Sequence, residues 1–225
     1  MRNGLLILCL FLAAGTSAQS NPKAVVRQQT FGVYSSYTTF EGIKFDSGEL
    51  VIFSNGYKIT RDEFLVVFRG DSLSDTSNAA KTAYLKKYIL NYQKAFEAMD
   101  QGLDTTTQFQ LDYLTYKQGL ITPYLNEGKT RLEAEALPEV KYALRRYYAD
   151  KLVRILMNKE VWAPQTDAVL QEFYYDHLSL YQGQPFEISK TKVIYDQQKE
   201  KETDLMQRIN TKFLFKINED LQRKL

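Results

Sequence analysis

Cysteine is all but absent from this chain, and its one residue, Cys9, sits inside the first apolar run. A disulfide framework is therefore excluded, and any fold has to rest on an apolar core. Histidine is as scarce, with His177 alone among 225 residues. A structural zinc centre needs several Cys, His or carboxylate ligands that converge, which one histidine without cysteine does not supply. Neither sign of charge is in excess: there are 29 basic and 27 acidic residues, with no long run of either. Phosphate-tracking surfaces concentrate positive charge, so nucleic acid is not an expected partner. After the first eighteen residues no second apolar stretch of about 18 residues occurs, so nothing further reads as a membrane span. Also missing are a Gly-x-Ser-x-Gly elbow, a phosphate-cradling glycine loop and a His-Glu-x-x-His pair. Glu133, Glu135, Asp150, Asp167 and Glu172 offer carboxylates, but none is paired for acid–base work and all read as solvated helix surface. No cofactor, no metal and no small-molecule substrate is expected.

What is present begins with an export signal. Arg2 supplies a positive start, Leu5 to Ala14 an apolar run too short to span a bilayer, and Thr16-Ser17-Ala18 a small-residue cleavage site. Cleavage after Ala18 is expected, with a retained membrane anchor as the alternative. Cys9 leaves with the signal, and a thiol-free exported chain suits the periplasm of a Gram-negative bacterium. Roughly 200 residues then remain, enough to bury a working core without staples.

Residues 19–48 are rich in Thr, Ser, Tyr and Gly and read as strand and turn. Leu50-Val51-Ile52-Phe53, Asn55-Gly56 and Tyr57-Lys58-Ile59 predict a β-hairpin with a type I′ turn. Thr60-Arg61-Asp62-Glu63 follows as a capping box, in which the Glu63 side chain would return to the Thr60 amide and open a helix. Tyr84, Tyr88, Tyr92, Phe96 and Met99 share one helical face. Gly102 is placed to end that helix, and Asp104 or Thr105 to cap a second one carrying Phe109, Tyr113, Tyr116, Leu120 and Tyr124, the pair forming an antiparallel hairpin. Beyond a polar stretch over 126–136, Pro138 opens a long helix with Val140, Leu144, Tyr147, Tyr148, Leu152 and Ile155. Thr166 caps the next, with Leu170, Phe173, Tyr174, His177 and Tyr181 on one side; Gly183 and Pro185 end it. A polar helix over 190–210 leads to the alternating Phe213, Phe215 and Ile217, with Asn218 capping a last turn. The expected class is mainly α with a small sheet (α+β), closed by the C-terminal strand lying beside the Leu50 hairpin.

Three stretches carry a family resemblance: Asn55 to Phe64, the junction Gly102-Leu103-Asp104-Thr105-Thr106 through Phe109, and Tyr116-Lys117 followed by Pro123-Tyr124-Leu125. Together they resemble the N-terminal domain of SurA-like periplasmic chaperones, in the form found in Bacteroidota. The tail, with Tyr195-Asp196-Gln197 and Phe213 to Asn218, is similar to the segment that ends those proteins. The resemblance implies one chaperone module over 49–225, made of an N-terminal half 49–127, connecting helices 128–191 and a closing segment 192–225. It also implies a helical cradle for unfolded outer-membrane proteins. In the family a parvulin-type prolyl isomerase domain of about a hundred residues is inserted between the halves. Here two long helices already occupy the span, and the histidine-bearing strand of that domain is missing, so no isomerase activity is expected.

Sixteen tyrosines are the remaining clue. Tyrosine joins a rigid apolar ring to a polar tip and can line a groove that stays soluble when empty. Neighbours on a helix point about 100° apart, so Tyr147-Tyr148 and Tyr174-Tyr175 cannot both face one core. These four are the candidate peptide-binding residues, on the expectation that one ring of each pair is exposed or lies at a groove. The expected function is an ATP-independent periplasmic holdase for unfolded exported or outer-membrane proteins. The alternatives are a non-catalytic scaffold for one folded envelope partner and, by family association alone, a prolyl isomerase.

Overall fold

The computed structural model describes residue 40, residues 42–71 and residues 75–225. The expected signal over 1–18 and most of the 19–48 segment lie outside the described residues. Strand β1 (Glu49–Phe53) is buried along its whole length, as a run of four apolar residues dictates for the centre of a sheet. It pairs antiparallel with β2 (Lys58–Thr60) on one side and with β3 (Phe215–Ile217) on the other. Val51 thus stands opposite both Ile59 and Ile217, and the strand expected near the end of the chain does close the sheet. The hairpin differs in detail. Gly56 alone takes a left-handed φ of +82°, so the connection is not type I′. Its amide donates to the Phe53 carbonyl at 2.9 Å, and the Asn55 side chain accepts from the Tyr57 amide at 3.1 Å.

Helix α1 (Arg61–Gly70) starts where the sequence places it, with the Thr60 hydroxyl accepting from the Glu63 amide at 3.1 Å. The Glu63 side chain does not return to close the box. It turns inward, fully buried, and accepts from the hydroxyls of Tyr57, Tyr88 and Tyr92 at 3.2, 3.3 and 3.1 Å and from the Arg145 guanidinium at 2.7 Å. A carboxylate can be buried only with such a set of donors. Burial, with Glu63 beside them, pushes the three phenols well above their usual pKa and keeps them neutral donors.

Helix α2 (Asn78–Asp100) ends before Gly102, which takes φ +70° as expected. A 3-10 turn over Leu103–Thr105 then uses up Asp104 and Thr105, so the cap of α3 (Thr107–Asn126) falls to Thr106 instead. The expected antiparallel hairpin gives way to a different packing: α5 (Pro138–Glu160), preceded by the short α4 (Arg131–Ala136), lies against α2 and also against α3. Its buried face carries Val140, Leu144, Tyr148, Leu152 and Leu156.

Helix α6 (Asp167–Asp176), capped by Thr166, and a 3-10 turn over Leu178–Tyr181 precede α7 (Phe186–Lys212), which starts just after Pro185 rather than near Lys190. Proline fits there because its missing amide has no partner to lose. The first half of α7 pairs with α6 in an arm with its own small core of Leu170, Tyr174, Tyr181, Phe186 and Val193. The second half brings Leu205 and Ile209 into the main core, and Gln93 donates to the Phe213 carbonyl at 2.7 Å just before β3. Asn218 caps α8 (Glu219–Gln222), as expected.

Candidate functional site

One face of α5 is left open. Glu139, Tyr142, Ala143, Arg146, Tyr147, Asp150, Lys151 and Arg154 recur at the three- and four-residue steps of a single helical stripe, and they floor a groove of about 470 Å³. Helix α1 supplies one wall through Val66, Val67 and Gly70, and α3 supplies the other through Tyr116. The Tyr116 and Tyr147 rings stack face to face, 3.9 Å between centroids and 4° from parallel. Burial raises the Tyr116 hydroxyl above its usual pKa, so it stays neutral and presents a ring with a polar tip. Val66 is exposed on the lip.

Most of the charge in the groove is already compensated. Arg146 bridges Asp71 and Asp150, and Asp150 also accepts from the Asn91 side-chain amide, Nδ2, at 2.7 Å. Burial, which would lower the Arg146 pKa, is outweighed by the Asp71 carboxylate. Lys151 holds Asp112 at 2.5 Å and keeps that carboxyl below its usual range. Arg145, one position before Arg146, points instead to the buried Glu63, which anchors α5 to α1 from behind the groove.

The four tyrosines singled out above are split in two by the structure. Tyr147 lines the groove and donates to the Asp112 carbonyl at 3.4 Å. Tyr148 is fully buried, donates to Asp104 at 2.7 Å and meets Phe109 and Tyr113 edge-on, so it faces the core. Tyr174 is buried in the arm with its hydroxyl on the Gln184 carbonyl at 2.6 Å. Tyr175, at 64% exposure, faces solvent. Tyr175 alone of the four faces out; Tyr147 is half-buried, packed against the core and the edge of the groove, which takes in none of the other three. His177 stacks on Phe173 and lies 3.5 Å from Glu200, bridging α6 and α7.

Tyr116, Tyr142, Val66, Glu139 and Arg154 were not singled out as a site. The stripe on α5 has no apolar excess, so by hydropathy it reads as an ordinary solvated face. Only the walls from α1 and α3 make it a groove, and those contacts are long-range. Among the described residues no helix is long and apolar enough to cross a membrane, and no cluster of His, Cys, Asp or Glu could hold a metal ion. Comparison with known proteins gives no matching family model, no matching curated protein and no matching solved structure.

Proposed function

We propose that the protein is an ATP-independent holdase of the bacterial envelope, which shields apolar segments of unfolded exported proteins in the groove along α5. The supporting observation is the groove itself: an open trough that presents the stacked Tyr116 and Tyr147 rings, Tyr142 and Val66, with its central charges paired off internally. Such a surface gains from covering apolar area without demanding one partner shape. A client burying on the order of 200 Å² of apolar surface gains roughly 5 kcal/mol, less the cost of ordering it, which permits release without an energy source.

The test is suppression of aggregation of an unfolded outer-membrane protein at stoichiometric concentration. Suppression by the parent, reduced severalfold in Tyr116→Ser/Tyr147→Ser with circular dichroism unchanged, supports the holdase. A parent that does not suppress, and instead captures one folded envelope protein at fixed stoichiometry, replaces it with the scaffold function. That second reading draws on the arm, where Leu178 and Leu180 on the 3-10 turn and Ile188 and Tyr195 on α7 stand exposed.

A further inference from the structure

We infer that the groove is electrically polar along its length and selects extended segments about seven residues long that carry opposite charges at their two ends. The inference rests on the holdase reading and gives its site a ligand class. Glu139 and Arg154 are the first and last α5 residues of the groove, and both are exposed. Among the described residues neither makes an ion pair, whereas Arg146, Asp150 and Lys151 between them all do. Fifteen residues of helix at 1.5 Å each put the two free charges about 22 Å apart. An extended chain rises about 3.3 Å per residue, so roughly seven residues cover that distance.

The middle of the groove suits an uncharged stretch. Its cations and anions neutralise each other, and the Tyr116–Tyr147 stack and Val66 offer apolar surface. A bound segment with a basic end at Glu139 and an acidic end at Arg154 leaves no charge unmatched. A segment with like charges at both ends sets one of them against its own sign, and a segment with its two charges adjacent can reach only one end. Both groove charges are solvent-exposed, so each contributes a few-fold to affinity, and only at low ionic strength.

The test uses end-blocked fluorescent heptapeptides with five apolar or aromatic residues between Lys and Glu, between two Lys, or between two Glu, titrated by anisotropy in low salt. The Lys-to-Glu peptide is expected to bind about three- to tenfold more tightly than either like-charged peptide. Glu139→Lys makes both ends of the groove basic and should move the preference to the peptide with two Glu; Arg154→Glu should move it to the peptide with two Lys. Both substitutions lie on the surface, and circular dichroism checks that the fold is kept. Equal binding of all three peptides, or a preference that charge reversal leaves unmoved, overturns the inference while the holdase stands. Failure of every peptide to bind a parent that still suppresses aggregation overturns it too. Loss of suppression by the parent is a separate result and counts against the holdase itself.

Discussion

The body and the arm use the same aromatic residues to different effect. In the body, tyrosine hydroxyls deep in the core are matched to carboxylates: Tyr57, Tyr88 and Tyr92 to Glu63, and Tyr148 to Asp104. In the arm the Tyr181 ring is buried to a similar degree, but its hydroxyl has only the nearby Asp196 carboxylate and no hydrogen bond of normal geometry. Only five buried side chains make the arm core, far fewer than the body buries, so much less apolar area holds the arm closed. Helix α7 belongs to both regions, with Val193 in one core and Leu205 and Ile209 in the other. The body is thus built to hold its shape, and the arm to open first. Elements of small core and exposed surface are where local unfolding starts.

Removing the sheet closure should have the largest effect. Truncation after Lys212 deletes buried Phe213, strand β3 and the hydrogen bonds Ser54 amide to Leu214 carbonyl and Asn218 amide to Leu50 carbonyl. The central strand β1 then becomes an edge, and its apolar side chains lose one flank. The cooperative melting transition of the body should disappear in differential scanning calorimetry. An unchanged transition would show that the closure is not what holds the two ends of the fold together.

Paired tyrosine substitutions give the next largest effect and separate the regions. Tyr148→Ser should cost the body about 3–5 kcal/mol, because a fully buried ring is lost and Asp104 loses a donor. In a chain of this size that lowers the melting temperature by about 10 °C. Tyr174→Ser empties the arm core instead. It should raise amide exchange in α6 and the first half of α7 while the main transition stays in place. The exposed neighbour gives the baseline, with Tyr175→Ser within about 0.5 kcal/mol of the parent. If Tyr174→Ser moves the main transition as far as Tyr148→Ser does, body and arm are one cooperative unit.

These contrasts follow the line between what was legible in the sequence and what was not. Local rules act within a few residues, and several held: Thr60, Thr166 and Asn218 cap their helices, Pro138 opens one, and Gly102 turns left-handed, whereas Asn55-Gly56 forms no type I′ turn and the cap of α3 moves from Asp104 or Thr105 to Thr106. The long-range pairing of β3 with β1 was also legible, because an alternating strand with no nearby partner must find a distant one. Glu63 was misread because capping and burial compete for the same carboxylate, and three phenols and an arginine from distant elements decide the outcome. The groove stayed hidden for the same reason: Tyr116 and Tyr147 lie 31 positions apart and meet only through the packing of α3 on α5. The 100° rule required one ring of each pair to be exposed or to lie at a groove. It could not say that Tyr148 and Tyr174 would be the buried members, nor that Tyr147 would lie half-buried at a groove while Tyr175 stood in solvent.

The smallest effect concerns the junction where α7 leaves the arm and enters the body. Glu97 on α2 accepts from Lys212 at 2.9 Å and lies 3.4 Å from Arg208. Burial alone would raise the Glu97 pKa, but the Lys212 hydrogen bond, supported by Gln101 and the nearby Arg208, outweighs it and holds the carboxyl below the usual carboxylate range. A carboxyl whose folded pKa is lowered stabilises above its unfolded pKa, and that contribution is lost as pH falls through the folded value. Acid should therefore loosen the body end of α7. Lys212 and Arg208 are each more than 40% exposed, so solvent screening limits the contribution to about 1 kcal/mol or less. Urea unfolding of the parent and of Glu97→Gln should differ at pH 7 and converge near pH 3. Amide exchange should show the loss around Leu205 and Ile209, with the arm around Val193 unaffected. A gap between the two proteins that stays constant down to pH 3 would mean that the junction is held by the packing of Leu205 and Ile209, with the ion pair contributing nothing.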